Sequence, residues 1–220
     1  MNRISQVLIA LCLLWSHSSV VAQPAATPML LGDITAAKYG FNAGVAANTK
    51  EVVAVQHPAF KEAVRVTVAQ KPLGVHQTLI SLSNVTTIKK GDVIAVAFYG
   101  RAAEPSTEAR ATLCIQGPPD WGNPFVYQEM QLTPVWKQFV AQFVARDNRA
   151  VSELSFNIFL GLQEQVVEIG GFRAANFGAS ADAAQVAQFL APQRTLKTNV
   201  PSHREDFESV FVPVVKTPGS

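Results

Sequence analysis

The chain has 220 residues, 48% of them hydrophobic and 15% charged, with a formal net charge of +2. Charge this evenly balanced offers no basic surface of the kind nucleic acids require. The length is enough to bury a core without disulfide staples.

The N-terminus, MNRISQVLIALCLLWSHSSVVAQ, has Arg3 as a basic lead. An apolar run over 7–15 follows, then Val20-Val21-Ala22 as a small-residue cleavage pattern. Such a run is too short to span a bilayer and reads as a secretory signal, cleaved after Ala22. A buried N-terminal helix is the alternative. Cys12 has Leu11 directly before it, which argues against a lipoprotein anchor. No later segment is apolar for long enough to cross a membrane as a helix. The expected protein is therefore secreted, periplasmic or extracellular, with no membrane contact after cleavage. Cys114 is then the only cysteine left, so no intramolecular disulfide forms.

Alternating apolar and polar residues mark strands. In chain order the segments are 51–56, 63–69, 76–82, 92–102, 109–116, 125–132, 135–145, 153–162 and 165–174. Val64, Val66 and Val68 share one face. Ile94, Val96 and Phe98 share another, with Tyr99 and Arg101 opposite them. Phe139 pairs with Phe143, and Leu154, Phe156, Ile158 and Leu160 line up with Asn157 out of phase. Turns are expected at 89–92 (KKGD) and at Asp147-Asn148. About nine strands without a long helical period predict an all-β fold, an antiparallel β-sandwich with a short C-terminal helix and tail. The helix is expected over 180–191, with Ser180 as cap and Pro192 beyond its end. The remainder, 192–220, is polar and punctuated by proline, and Phe207, Val210, Phe211 and Val212 are candidates for an extra docked strand. The expected organisation is 1–22 signal peptide, 23–178 β-sandwich, and 179–220 C-terminal helix and tail or linker.

Five segments resemble, in order, the carbohydrate-binding modules of the galactose-binding-like jelly-roll superfamily, and most of all those attached to bacterial xylanases. They are FKEAVRVTV (60–68), IKKGDVIAVAFYGRAAE (88–104), VWKQFVAQFVA (135–145), ELSFNIFLG (153–161) and VVEIGGFRAANFG (166–178). The resemblance covers about 51–178 and implies a jelly roll that binds a polysaccharide or oligosaccharide. It also implies a glycan-degrading enzyme as a possible partner. Many such modules stack a tryptophan on sugar just before the strand that here follows KPLGVHQ (71–77), where this chain has none. The common calcium site of these modules draws on an Asp-Asn pair near the last strand. Gly170-Gly171 stand there instead, so no cofactor or metal is expected.

Sugars present C–H faces that stack on aromatic rings and hydroxyls that take directional hydrogen bonds. The candidate carbohydrate-binding residues are therefore Trp121 and Tyr127, Tyr99 and Arg101, His76 and Gln77, and Gln116 and Asn157. Trp121 lies in the loop GPPDWGNP (117–124), where it is either a stacking platform or a cap over the core. Tyr99 and Arg101 either line a cleft or end an ordinary solvated strand. Trp136 is expected to pack against the core or an edge. Catalysis finds little support. His57, His76 and His203 show no metal-ligand spacing, and no Gly-x-Ser-x-Gly elbow occurs. Spacing selects no pair among Glu104, Glu108, Glu129, Glu164 and Glu168, and Glu168 reads as easily as an exposed sheet residue. Three functions remain open: a non-catalytic module for xylan or another plant-type β-glycan; a structural or protein-interaction sandwich; and an enzyme, either a small lyase-like sandwich or a remnant or accessory part of a glycoside hydrolase system.

Overall fold

A computed structural model describes residues 29–192 and the backbone of a strand at 209–211. The expected signal peptide, His203, Phe207 and Val212 lie outside the described residues. The strands are β1 (Gly40–Asn42), β2 (Thr49–His57), β3 (Phe60–Val68), β4 (Leu79–Ser83), β5 (Val93–Ala102), β6 (Ala109–Gln116), β7 (Val126–Leu132), β8 (Lys137–Val144), β9 (Ser155–Phe159), β10 (Gln165–Asn176) and β11 (Ser209–Phe211). One helix, α1 (Ala183–Leu190), follows β10. Two sheets form, one in the order β1-β4-β9-β6-β7 and one in the order β11-β8-β5-β10-β3-β2. Neighbouring strands are antiparallel, apart from β11 on β8, which is parallel. The all-β sandwich is as the alternation predicts, and the nine expected strands are β2–β10.

The core lies between the sheets and is built from the expected faces. Val64, Val66, Val68, Ile94, Val96 and Phe98 come from the six-stranded sheet. Ile80, Leu113, Ile115, Phe156 and Ile158 come from the five-stranded one. The Phe98 ring stacks between Phe139 at 5.5 Å and Phe172 at 5.1 Å, and Phe172 meets Phe156 from the other sheet at 6.3 Å. Each such ring contributes roughly 1.5–3 kcal/mol by burial.

The position of Phe172 depends on a bulge. Val167 and Ile169 face the core, and so do Phe172 and Ala174, which is a change of parity along one strand. The register shifts between Gly170 and Arg173, and Gly171 has φ +58°. The extra residue turns Phe172 inward, and glycine adopts that left-handed backbone without strain.

Helix α1 is capped by Asp182, whose carboxylate accepts from the Ala184 N–H at 2.8 Å, and not by Ser180. Its C-terminal end is held on the six-stranded sheet. Arg173 donates to the carbonyls of Phe189 (2.7 Å) and Ala191 (3.2 Å), and Gln138 donates to that of Leu190 (2.8 Å). A buried guanidinium suits the negative end of a helix. The folded body thus continues past Gly178 to the end of α1.

Candidate functional site

The outer faces of the two sheets differ. On the six-stranded sheet, Tyr99 and Arg101 point away from the core, as the alternation of β5 requires. Tyr99 is nevertheless only 1% exposed. The tip of the β2–β3 hairpin folds over it, with its ring 5.4 Å from Phe60 and 4.6 Å from His57. The phenol donates to Gln138 Oε1 at 3.1 Å, so it belongs to the network that holds α1. A ring so covered has no face left for a sugar. Arg101 lies 4.8 Å over the Trp136 ring and pairs with Glu168 at 2.7 Å. Glu168 is 0% exposed, in contrast to the exposed sheet position its strand suggests. Arg65 binds its other oxygen at 2.6 Å, and Glu168 keeps the Arg65 guanidinium above its ordinary pKa, chiefly through that hydrogen bond. Trp136 is half-buried against Phe60, His57 and Arg101, the packing role expected of it.

The same hairpin tip occupies the place where the resembling modules keep a calcium ligand. A Cβ at Gly170 would lie 2.3 Å from the Phe60 ring, and one at Gly171 would lie 2.8 Å from it. No carboxylate side chain fits at either position. Among the described residues, no cluster of three or more His, Cys, Asp or Glu side chains is placed to hold a metal ion. The residues present do not fit that calcium site.

The outer face of the five-stranded sheet is built differently. Strand register sets Ser81, Asn157, Cys114 and Tyr127 in one row across β4, β9, β6 and β7. A second row runs Leu79, Phe159, Thr112 and Glu129, and a third runs Ser83, Ser155 and Gln116. Adjacent strands lie about 4.8 Å apart, so Tyr127 stands about 10 Å from Asn157. The side chains in the middle are short and polar. Asn157 is 6% exposed, and its amide has no hydrogen-bond partner among the described residues. The Thr112 hydroxyl is buried and likewise unpartnered. Leaving the Thr112 hydroxyl unmet costs about 1–3 kcal/mol. Gln116 is half-buried in the same face. Cys114 beneath them is a thiol, its pKa pushed up to about 12 by burial, and no nucleophile.

Exposed rings stand around this polar middle. Tyr127 is 46% exposed at the β7 edge. Trp121 is 51% exposed in the loop that joins β6 to β7, beyond the row of Gln116. Trp121 is therefore no cap over the core; Phe125 is, buried and 5.2 Å from Phe143. His76 lies at the opposite end of the strands, in a short 3-10 turn before β4, exposed and 6.4 Å from the Phe159 ring. Gln77 in the same turn uses its Oε1 to accept from the Gly74 N–H at 2.9 Å. The charged strand residues of this face, Arg110 and Glu129, pair with each other at 2.6 Å.

Of the residues expected to bind sugar, this sheet and its ends gather Trp121, Tyr127, Gln116, Asn157, His76 and Gln77. Tyr99 and Arg101 are on the other sheet. Thr112, Phe159 and the Arg110–Glu129 pair are additions. The alternation of β6 offered Thr112 and Arg110, since both are in phase with Cys114 and Gln116. Phe159 is in phase with Asn157 on β9, so the alternation placed it on this face too, though its apolar ring did not mark it as a surface residue.

No protein-family model and no curated protein matches this sequence. Solved structures do resemble the fold. The N-terminal CBM22-1-CBM22-2 tandem of Xyn10C from Paenibacillus barcinonensis superposes with TM-score 0.51 and 17% identity, over 70% of this chain and 47% of the tandem. The arabinose-bound MgGH51 α-L-arabinofuranosidase gives TM-score 0.51 and 15% identity, over 74% of this chain and 29% of the enzyme. The CBM22-1 xylan-binding domain of the same Xyn10C gives 0.49 and 15%, over 69% of this chain and 96% of that domain. This chain spans less than half of the first two. The likeness is one of fold, the two-sheet β-sandwich.

Proposed function

We propose that this chain is a secreted, non-catalytic carbohydrate-binding module that takes a plant-type polysaccharide, xylan or another β-glycan, on the outer face of its five-stranded sheet. The observation that carries this reading is the combination on that face. Asn157 and the half-buried Gln116, whose amides have no hydrogen-bond partner among the described residues, lie between exposed rings, Tyr127 and Trp121. Rings take the C–H faces of a sugar, and unmet amide groups mark a face built for hydroxyl partners. The Arg110–Glu129 pair leaves no free cation in the strands of this face, which suits an uncharged chain. The likeness in fold to the CBM22-1-CBM22-2 tandem agrees with the reading. Cleavage after Ala22 would release the module from the membrane, and a glycan-degrading enzyme is the natural partner of such a module.

Two of the five candidate carboxylates lie in the strands of the two sheets. Glu168 is buried between two arginines and Glu129 is paired with Arg110, so neither is free to act on a glycosidic bond. A second reading, a protein-interaction sandwich, draws on Leu73, which is fully exposed in the segment where the resembling modules stack a tryptophan. Affinity gel electrophoresis against soluble xylan, β-glucan and mannan separates the two. Retardation by at least one supports the module. Unchanged mobility of folded protein on all three favours the interaction reading.

A further inference from the structure

Trp121 has no hydrogen bond and no ring contact among the described residues, so its pose is set by the loop that carries it. That loop, 117–125, is fixed at its base. Phe125 N–H donates to the Ile115 carbonyl at 2.7 Å. A Cβ at Gly117 would lie 1.9 Å from the Glu153 carbonyl oxygen, so the loop leaves β6 flush against the β8–β9 connection. Its far limb has one further anchor. Arg146, from that same connection, lies with its guanidinium 4.5 Å over the Phe125 ring. Its Nη1 donates to Asn123 Oδ1 at 2.8 Å and its Nη2 to the Asn123 carbonyl. Asn123 in turn donates its N–H to the Asp120 carbonyl at 3.3 Å, closing the turn around Trp121.

We infer that Arg146 is a positioning residue for Trp121: one guanidinium ties the base of the loop to its far limb and so holds the ring ready for ligand. The inference rests on the glycan reading above. The planar fork is needed because one group must stack on Phe125 and donate twice to Asn123, and a lysine ammonium does not combine these. Without Arg146, the loop must be ordered when ligand binds, and that cost comes out of the affinity.

The test uses the full chain. Acrylamide quenching of Trp121 emission, taken as wild type less Trp121→Ala and without sugar, reports the pose directly. Gel retardation by soluble xylan, β-glucan and mannan reports binding. Arg146→Ala is expected to raise the quenching constant and to weaken the strongest retardation about 2- to 10-fold, the cost of ordering one or two side chains. Arg146→Lys is expected to fall between the two. Adding Arg146→Ala to Trp121→Ala should weaken binding no further than Trp121→Ala alone, since the two act as a unit. Unchanged quenching in Arg146→Ala overturns the inference, and so does a double variant whose loss is the product of the single losses. Because quenching is read without sugar, it judges Arg146 separately. Wild-type retardation in Trp121→Ala would instead count against the Trp121 platform, and unchanged mobility of folded wild type on all three polysaccharides would count against the glycan reading.

Discussion

The two outer faces of the sandwich begin from the same kind of sequence, strands that alternate apolar and polar residues, and end in opposite states. The face of the six-stranded sheet is closed. The β2–β3 tip covers Tyr99, helix α1 is tied down by Arg173 and Gln138, and Glu168 has an arginine on each oxygen. The face of the five-stranded sheet is open at its rings and unmet in its middle, at Asn157 and Gln116. Polar residues on the first face hold the fold together; on the second, Asn157 and Gln116 have no partner among the described residues. An outward-pointing aromatic is thus a binding residue only where no other element folds over it.

Substitutions on the closed face should change stability and spare sugar binding, and the largest effect is expected at Glu168. Glu168→Ala leaves Arg65 and Arg101 without their shared carboxylate. It should cost about 3 kcal/mol, the lower end for a broken buried pair because both arginines are partly hydrated, and lower Tm by roughly 6–12 °C. Thermal unfolding followed by circular dichroism reads this, and retardation at 25 °C should be that of wild type. Gly117→Ala tests the boundary between the faces. Its methyl group meets the Glu153 carbonyl, so the backbone must shift at a cost of about 1–3 kcal/mol, and here binding should fall too because the Trp121 loop moves.

A pH effect should also belong to the closed face. Burial, and then the nearby charge of Arg101, hold the His57 pKa at about 4, below its ordinary 6.5. Between these values the unfolded chain binds a proton that the folded one refuses. Stability from this group is therefore complete above about pH 6.5 and is lost as pH falls towards 4. Urea midpoints measured across that range should drop in wild type and drop less in His57→Phe. Tyr99→Phe is the smallest change, about 1 kcal/mol for one buried hydrogen bond, with no effect on retardation.

Much of this architecture was legible in the sequence. Alternation located β3–β10, because each of those strands has one face in the core; it also located β2, although no residue of β2 lies in the core. It missed β1, whose three residues place only Phe41 against the core. It placed the helix but not its cap, since Ser180 and Asp182 both qualify by type and only geometry chooses. For the site, alternation placed Tyr99 and Asn157 outward, correctly, yet said nothing of which sheet each would join. Tyr99 was drawn towards the binding residues because it is aromatic and outward, and the hairpin tip that covers it is more than 35 residues earlier in the chain. Arg146 was illegible for the same reason: it reaches Asn123 across a separation of 23 residues.

The most direct test compares one pair of changes on each face. Retardation by soluble xylan, β-glucan and mannan should be abolished or reduced at least about tenfold, by roughly 1.4 kcal/mol or more, in the Trp121→Ala Tyr127→Ala double variant. It should be unchanged in Arg101→Ala Tyr99→Phe, assayed below its unfolding temperature. Loss of binding in the second variant with binding kept in the first would place the ligand on the closed face and contradict the account.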